Sequence, residues 1–375
     1  MVFESEADIA EAVKSAAGPL RIVGGGTRSI GRPVTGEALP VSGLTGITLY
    51  EPGALTLVAK AGTPLAEIEA ALAGENQRLA FEPIDYRPLL GSEGTPTIGG
   101  AIATNASGPR RIAVGAAWDH MLGVRYVDGT GTVIKNGGRV MKNVTGYDLV
   151  KLMTGSWGTL GVMTEVSIKV LPAVDFEASL ILHGLTTEDA VRAMSDALGS
   201  PFEITGASHV AIADDLPSTM LRLEGFENSV RYRLSALKDL LSAFGDITDI
   251  EGDPSRTAWR RIRDAEMFAD WSGDVWRVST RPSDAPDLVR RMGGECHTLL
   301  DWGGGLIWVL APEGTDLRDR LGTFSGHATL IRASDTTRLD LPVFHPEPAP
   351  VAQLSAGLRA KFDPRGILNP GLMGG

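Results

Sequence analysis

The pattern of apolar and polar positions predicts secondary structure at several points along the chain. Apolar residues recur at helical spacing between residues 5 and 17, and the run from Leu20 to Val23 predicts a first strand. Residues 162–170 alternate apolar with more polar side chains, which predicts a strand with one buried face that ends at Pro172. These signals indicate a chain that mixes helices and strands.

Further helices are predicted from their start and stop signals. Thr63 to Leu65 has the features of a helix start, because a hydroxyl side chain can cap the helix and proline is favoured at its first position. Gly74 is the expected end of that helix. Two more helices are predicted over Thr187 to Leu198 and Val230 to Phe244.

Glycine and alanine dominate the segment from Pro96 to Gly108, where a helix would normally carry larger side chains. A glycine inside a helix costs about 1 kcal/mol relative to alanine, so the composition indicates close approach of a ligand or of another backbone. Tight packing of a helix on a sheet would produce the same composition.

A glycine loop follows the first strand and has the character of a phosphate cradle. Gly24 to Gly26 can adopt positive φ and turn successive N–H groups inward, while Thr27, Arg28 and Ser29 add donors. The loop lacks the Lys-Ser/Thr ending of a P-loop, and residues 32–36 are a poor start for the helix of a Rossmann dinucleotide site.

Two more segments complete the set of motifs. Residues 143–161 predict a short helix, a glycine turn and the start of a strand, and the tail from Lys361 to Gly371 predicts a rigid, turn-rich path. Asn143 to Thr145 also matches a glycosylation sequon, which we expect to be incidental without secretion.

These four segments, in this order, resemble the FAD-binding domain of the vanillyl-alcohol oxidase and p-cresol methylhydroxylase (PCMH) flavoprotein superfamily. The resemblance implies an α+β fold. A PCMH-type FAD-binding domain of two α+β subdomains would span residues 1–172, and an α/β cap domain with an antiparallel sheet would span 173–340. Residues 341–375 would return to the FAD domain.

The same resemblance implies which residues contact FAD. The glycine loop would hold the pyrophosphate, "PTIGG" and "ATNASG" would line the flavin, and "GSWGTLGVMTE" would place backbone against the adenosine portion. Trp157 departs from the family pattern, which commonly has Glu or a small residue there. Because the phosphate loop contains no histidine, we expect non-covalent FAD and a structural role for His120. The implied FAD contacts are Gly24, Gly25, Gly26, Thr27, Arg28, Pro96, Thr97, Gly99, Gly100, Asn105, Ser107, Gly108, Gly161, Val162 and Asn369.

Within the superfamily, the chain resembles the FAD-binding subunits of glycolate oxidase (glycolate dehydrogenase). The similarity is carried by Leu44 to Pro52, Leu79 to Pro83 and the run "ATNASGPRRIAVGAAWDHMLGVRYVDGTG". It implies a complex that oxidises glycolate, with a homologous FAD-containing catalytic subunit and an iron–sulfur subunit as partners. The catalytic subunit in this family carries a histidine-rich motif in its cap, whereas all six histidines here are isolated. We therefore expect glycolate oxidation chiefly on the partner.

The composition of the chain limits which partners, metal groups and membrane segments it can have. A net charge of −11 argues against a nucleic-acid partner. Cys296 is the only cysteine, so the chain alone cannot form an internal disulfide or hold an iron–sulfur cluster, and no metal site is predicted. Acidic residues interrupt the N-terminus, and no run approaches the roughly 20 apolar residues of a membrane helix. We expect a cytoplasmic protein that reaches the inner membrane only through partners.

Oxidation of a 2-hydroxy acid needs a cation for the carboxylate and a base for the hydroxyl proton. His327 and His345 are candidate bases in the cap, and no catalytic residue is assigned. Two alternatives stay open: a self-sufficient FAD-dependent enzyme for another 2-hydroxy acid or a sugar-derived alcohol, and a non-catalytic assembly subunit. The candidate cations in the cap are Arg260, Arg261, Arg263, Arg277, Arg281 and Arg332.

Overall fold

The computed structural model describes residues 3–139, 146–212 and 215–374. Asn143 to Thr145, the sequon, lies outside these residues. The helices are α1 (Glu6–Ser15), α2 (Leu65–Ala73), α3 (Arg87–Leu90), α4 (Ile98–Ala103), α5 (Arg111–Val114), α6 (Leu149–Met153), α7 (Thr187–Leu198), α8 (Glu227–Leu241), α9 (Asp253–Arg263), α10 (Ala285–Met292), α11 (Leu317–Leu321), α12 (Asp335–Asp340) and α13 (Ala349–Phe362).

The strands are β1 (Leu20–Val23), β2 (Glu37–Pro40), β3 (Ile47–Glu51), β4 (Thr56–Lys60), β5 (Gln77–Arg78), β6 (Met121–Val127), β7 (Val133–Gly137), β8 (Val162–Lys169), β9 (Leu171–Pro172), β10 (Phe176–His183), β11 (Gly206–Ala211), β12 (Ser218–Gly225), β13 (Ile247–Glu251), β14 (Asp274–Thr280), β15 (His297–Asp301), β16 (Leu306–Ala311) and β17 (Gly326–Arg332).

The chain divides into two compact units. The first contains residues 1–107, 115–173 and 346–375, and the second contains 108–114 and 174–345. The sequence-based domains placed 108–114 in the first domain, whereas this segment packs with the second unit. The reason is a buried ion pair, in which Arg110 donates two 2.8 Å hydrogen bonds to the carboxylate of Glu224.

The first unit is built around an antiparallel sheet with the strand order β3-β4-β8-β6-β7. Helix α4 contacts β8 and β4, and α6 contacts β6 and β7. Ile68, Ile98, Ile102 and Val166 are fully buried in the resulting core. A separate parallel pair joins β1 to β2, and it leads the chain into the glycine loop.

Strand β8 confirms the predicted strand but not its polar face. Met163 and Ser167 are buried along with the apolar positions. The sheet order explains this, because β8 lies in the centre of the sheet between β4 and β6. The chain also continues in extended form, since Pro172 pairs with Gln77 in the short β5–β9 ladder.

The predicted helices are present, with two corrections. The helix predicted over Val230 to Phe244 begins and ends three residues earlier, as α8, and one cap differs. Helix α2 ends at Gly74 as expected, but Pro64 occupies its N-cap and Thr63 does not cap it. The Thr63 hydroxyl instead donates to the carbonyl of Lys60 at 2.7 Å and accepts the N–H of Gly46 at 3.0 Å. It therefore stabilises the turn before the helix.

The second unit contains an eight-stranded antiparallel sheet with the order β13-β10-β12-β11-β15-β16-β14-β17. Helix α8 contacts β10 and β12, and α7 contacts β11. Trp259, Trp276 and Trp308 are almost completely buried and supply much of the volume of this core. Within the described ranges of both units, no helix has the length and apolar character needed to cross a membrane.

Candidate functional site

The glycine loop of the first unit lies directly against the segment before α4. A Cβ at Gly25 would be 1.5 Å from the carbonyl oxygen of Thr95, and a Cβ at Gly24 would be 3.0 Å from Oγ1 of Thr97. A side chain at 25 would collide with the backbone of Thr95, and a side chain at 24 would press on the side chain of Thr97. Close approach of the Thr95 backbone therefore requires glycine at 25.

Gly26 differs from its two neighbours. Its φ is +72°, and a Cβ placed there would have no heavy atom within 4 Å. The left-handed conformation favours glycine and turns the peptide N–H groups of the loop away from the regular strand direction. Gly26 is thus the position where the loop has room for a bound group.

The two glycines of α4 have different surroundings. A Cβ at Gly99 would be 2.7 Å from the Cβ and carbonyl oxygen of Ala61, so tight packing of the helix against the chain after β4 explains this glycine. A Cβ at Gly100 would instead be 3.3 Å from Nη1 of Arg28. Thr97 caps the helix, since its Oγ1 accepts the N–H of Gly100 at 3.3 Å. Gly100 therefore borders the glycine loop.

Pro96 and Thr27 complete this part of the first unit. The carbonyl of Pro96 accepts the N–H of Leu65 at 2.9 Å, which ties the "PTIGG" segment to the start of α2. Thr27 is buried, with 3% of its surface exposed, and its Oγ1 accepts from Nη1 of Arg28 at 3.3 Å. Pro96 thus fixes the segment before α4, and Thr27 holds the side chain of Arg28.

Arg28 brings a positive charge to the loop. Its Nη2 donates to the carbonyl of Ile84 at 3.1 Å, and its guanidinium lies 5.9 Å from the centre of the Tyr86 ring. Nε is buried and has no hydrogen-bond partner among the described residues. Burial lowers the pKa of Arg28, while Tyr86 and Asp85 act in the opposite direction. A desolvated cation with an unused donor is suited to an anionic group at the loop.

Asn105 and Ser107 hold the turn after α4. Asn105 has φ +49°, and its Oδ1 accepts the N–H of Trp118 at 3.2 Å. The hydroxyl of Ser107 donates to the carbonyl of Asn105 at 3.2 Å and accepts the N–H of Ala117 at 2.9 Å. These bonds give both side chains a structural role, and Gly108 follows in the second unit.

The C-terminal tail is joined to the first unit by Asn369. Its Oδ1 accepts the N–H of Ile22 at 2.8 Å, and its Nδ2 donates to the carbonyl of Trp157 at 2.9 Å. Trp157 has φ +55°, and its N–H donates to the carbonyl of Ala103 at 2.9 Å. Thr159 and Asn369 also line a cavity of about 420 Å³ formed largely by the tail.

Gly161 and Val162 are part of the core. A Cβ at Gly161 would be 2.7 Å from Cδ2 of Tyr126, and Val162 is fully buried. His120 is also buried, 3% exposed, with its ring centre 5.6 Å from that of Phe81. The structure gives all three residues packing partners inside the first unit.

Taken together, the loop fits a cofactor that carries phosphate groups. Gly26 provides the open, positive-φ position, and Arg28 provides a buried donor without a partner among the described residues. Gly100 leaves room for the Arg28 side chain beside α4. These features fit the pyrophosphate of FAD, and packing of the protein on itself limits the side chains at Gly25 and Gly99.

The six candidate arginines of the second unit have different contacts. Arg263 makes two 2.7 Å bonds to Asp264, and Arg332 donates to the carbonyl of Phe268 at 2.7 Å. Arg277 is different, because its guanidinium lies over the rings of two tryptophans. Arg260 and Arg261 lie on the exposed side of α9 and contact Thr257 and Glu266 respectively, and Arg281 precedes the 3-10 turn Pro282–Asp284.

The two candidate histidines, His327 and His345, have different neighbours. His327 is on β17, opposite Ser279 of β14. Nδ1 of His345 accepts the N–H of Ala328 at 3.3 Å, which gives this ring a structural partner. Burial lowers the pKa of His327, and Arg277, His345 and Arg111 lower it further. A neutral imidazole near pH 7 can accept a proton.

Sequence reasoning missed two residues of the second unit. Glu224 receives the ion pair of Arg110, and Trp302 lies beneath the guanidinium groups of Arg111 and Arg277. The basic pair Arg110 and Arg111 was visible as a local cluster, but its partners are more than 100 residues away in the chain. Only the fold brings them together.

The chain is similar to known FAD-binding proteins. A family of FAD binding domains matches residues 1–137. The chain is 38% identical to the glycolate oxidase subunit GlcE of Escherichia coli, over 95% of this chain and 92% of that protein. It is 31% identical to an FAD-linked oxidoreductase of Mycobacterium tuberculosis, over 93% of this chain and 85% of that protein.

A solved structure shows the same fold. An alkyldihydroxyacetonephosphate synthase superposes with a TM-score of 0.70 and 15% identity, over 99% of this chain and 76% of that chain. At this identity the likeness concerns the fold alone. It confirms the predicted α+β architecture of PCMH type, with its antiparallel sheets.

Proposed function

Because the chain belongs to the family of the glycolate oxidase subunit GlcE, we propose that it is the FAD-binding subunit of a glycolate oxidase complex. It is an FAD-dependent oxidoreductase of the group that acts on CH–OH donors. The observation that carries the proposal is the 38% identity to GlcE, which extends over 95% of this chain. The glycine loop with Arg28 supports it independently.

The proposed reaction converts glycolate to glyoxylate, with the loss of two electrons and two protons. When bound, FAD supplies the acceptor for the electrons. The loop at Gly26 and the guanidinium of Arg28 would hold the pyrophosphate through N–H donors. Asn369 would keep the first strand and the tail in place, since it bridges separate segments of the first unit. Thr97 would fix the start of α4 as its N-cap.

The remaining FAD contacts are proposed in two groups. Pro96, Gly100 and Asn105 lie on the segments that would line the flavin, and Val162 lies within the segment assigned to adenosine. Gly108 belongs to the second unit. We propose that FAD is bound without a covalent link.

We further propose that the chain works in the cytoplasm with two partners. These are a homologous FAD-containing catalytic subunit and an iron–sulfur subunit that takes up the electrons and holds the complex at the inner membrane. The sequence supports this dependence, because a single cysteine cannot ligate a cluster. The isolated histidines support a partner as the principal site of glycolate oxidation.

The test is an absorbance spectrum of the purified chain, before and after anaerobic addition of glycolate, with acid precipitation of a second aliquot. We expect a flavin spectrum, release of FAD into the supernatant, and no bleaching by glycolate until the partner subunits are added. Bleaching of the isolated chain would instead make it a self-sufficient dehydrogenase. A colourless protein that cannot be reconstituted with FAD would contradict the proposal and leave an assembly role.

A further inference from the structure

Helix α13 carries apolar side chains that its own chain does not bury. None of its 14 residues is buried, and Val351, Leu354 and Leu358 are exposed, Leu354 to 70%. A helix of this length is only marginally stable in water by itself, so helices in proteins gain most of their stability by packing an apolar face. The exposed apolar side chains of α13 are therefore free to pack against another molecule.

A different face of α13 lies toward its own chain. Phe362 packs against the core of the first unit, with its ring centre 6.3 Å from that of Tyr126. The exposed apolar side chains are displaced from this face by about a quarter-turn around the helix. The half-buried residues that mark the inner face recur at helical spacing and are Ala352, Ser355, Arg359 and Phe362.

The exposed apolar residues belong to a stripe with the spacing of a two-helix seam. The stripe consists of Glu347, Val351, Leu354, Leu358 and Lys361. Successive members are four, three, four and three positions apart, which is the a/d pattern of a heptad repeat. Glu347 stands just before the helix, and Lys361 lies in its last turn. The stripe thus has an apolar centre and opposite charges at its ends.

Both end charges are accessible. Glu347 is exposed, and its Oε1 accepts the hydroxyl of Ser355 at 3.0 Å, while Oε2 has no bond to a described residue. Lys361 is also exposed and forms no ion pair with any residue that the structure describes. Each charge is seven positions from Leu354. The stripe is therefore symmetric about this leucine, with the sign of the charge reversed.

A second copy of α13 in the antiparallel direction complements the stripe. With a two-fold axis at Leu354, Glu347 of each copy lies beside Lys361 of the other. Val351 of each copy meets Gly357 of the other, because both are three positions from the axis. A Cβ at Gly357 would have no heavy atom within 4 Å, so this exposed glycine leaves a recess for the valine. A parallel arrangement would instead bring like charges together.

We propose that α13 is a self-association face, at which two copies of this chain pair through antiparallel α13 helices. The Glu–Lys contacts at the two ends fix the direction and register of the pair, and the leucines exclude water at its centre. The seam of one short helix is smaller than the roughly 800 Å² per partner of a stable interface, so the dimer should be weak. This inference goes beyond the proposed function and does not depend on it.

The test is sedimentation velocity of the purified full-length chain over a series of concentrations. We expect a reversible dimer at high concentration. Leu354→Asp should raise its Kd by about tenfold or more, because two carboxylates would face each other at the axis. Leu216→Asp is the matched control and should leave the Kd unchanged, since Leu216 is 68% exposed but lies in the second unit.

Two results of this experiment would overturn the inference. One is a dimer that Leu354→Asp leaves unchanged. The other is a chain that stays monomeric at every concentration, and loss of binding to the proposed partner subunits in Leu354→Asp would then assign the face to them. Because Leu354 is 70% exposed, the aspartate variant should melt at the wild-type temperature, which shows that it is folded.

Charge reversal tests the register of the pair. Glu347→Lys and Lys361→Glu should each weaken the dimer several-fold, because each variant places like charges together at both ends of the seam. The double variant restores opposite charges and should recover most of the affinity. Recovery cannot come from the bond between Glu347 and Ser355, which the double variant lacks. A double variant no better than the single ones would contradict the antiparallel pairing.

Disulfide cross-linking locates the axis even if the dimer is weak. In a Cys296→Ser background, Leu354→Cys places the sole cysteine at the proposed axis, where the two copies are close enough for a disulfide. Oxidised glutathione should then link two chains. Ala356→Cys, exposed on the opposite side of the same helix, is the control and should stay unlinked. Equal cross-linking at the two positions would overturn the pairing.

Discussion

The carboxamide of Asn369 joins the C-terminal tail to the first strand, because its Oδ1 accepts the N–H of Ile22 at 2.8 Å. The same side chain donates to the carbonyl of Trp157 at 2.9 Å and is 5% exposed. A residue at the end of the chain therefore fixes the strand that leads into the glycine loop. Its φ of +43° is one that asparagine tolerates better than most residues.

Asn369→Ala should destabilise the first unit by about 2 kcal/mol, because two partly buried backbone groups lose their partner. Denaturant unfolding with and without added FAD measures the effect. Asn369→Asp is the matched variant, since it keeps the acceptor for Ile22 but places a carboxylate beside the carbonyl of Trp157. Wild-type stability and wild-type FAD retention in the alanine variant would show that the tail is not held in this way.

Gly25 and Gly26 should respond differently to alanine. In Gly25→Ala the new Cβ would be 1.5 Å from the Thr95 carbonyl oxygen, so the backbone must move and both stability and FAD retention should fall. Gly26→Ala meets no neighbour and should cost about 1 kcal/mol through its positive φ alone. Thermal melts of the FAD-free proteins separate the two effects. A Gly25→Ala protein as stable as Gly26→Ala would contradict the close packing.

Arg28→Gln should raise the Kd for FAD at least tenfold, since a charge-assisted hydrogen bond contributes about 1.5–3 kcal/mol. Fluorescence titration of the FAD-free chain measures it. Arg87→Gln is the control, because Arg87 is 44% exposed and pairs with Asp85 at the surface. Equal affinity in the Arg28 and Arg87 variants would remove Arg28 from the proposed pyrophosphate site.

The sequence predicted the elements of the fold well wherever periodicity and end signals are local. Helix α1, helix α7 and strand β1 lie where they were expected, since each depends on residues close together in the chain. The correction at Thr63 has a tertiary cause, because its hydroxyl is used by Gly46 and Lys60. Local propensity could not show that competition.

The candidate site was predictable in part. The motifs that resemble flavoproteins identified the glycine loop, but they could not separate glycines needed for packing from those that leave space. Gly99 against Ala61 is an example of the first kind, and Gly26 of the second. The stacking of Arg111 and Arg277 on Trp302 depends on contacts between distant segments, and no spacing in the sequence signals it.

Glu224→Gln should destabilise the second unit by about 3–5 kcal/mol, because it leaves the buried guanidinium of Arg110 without its counter-charge. Urea unfolding followed by tryptophan fluorescence reports this unit, which holds the buried Trp259, Trp276 and Trp308. Arg231→Gln, which breaks surface ion pairs and the contact of this guanidinium with the Phe176 ring, should cost about 1 kcal/mol. Similar losses in both variants would contradict a buried role for Glu224.

His209 should make the second unit sensitive to acid. Its side chain is fully buried on β11, with Nδ1 2.9 Å from the hydroxyl of Thr219, and burial lowers its pKa from 6.5 to about 4. Between these values the unfolded chain takes up a proton that the folded chain does not, so stability falls as the pH falls. This pKa shift corresponds to a loss of about 3 kcal/mol in the free energy of unfolding once the pH has fallen to about 4.

His209→Gln removes the titrating ring while keeping a side chain that can bond Thr219. Urea unfolding at pH 7.5 and pH 4.5 should show a large loss of stability for the wild type and a loss smaller by about 2 kcal/mol for the variant. The measurement at pH 7.5 also gives the change in the free energy of unfolding that the substitution itself causes. That change cancels when the losses between pH 7.5 and pH 4.5 are compared. Parallel losses in the two proteins would mean that other groups, and not His209, set the acid limit of the second unit.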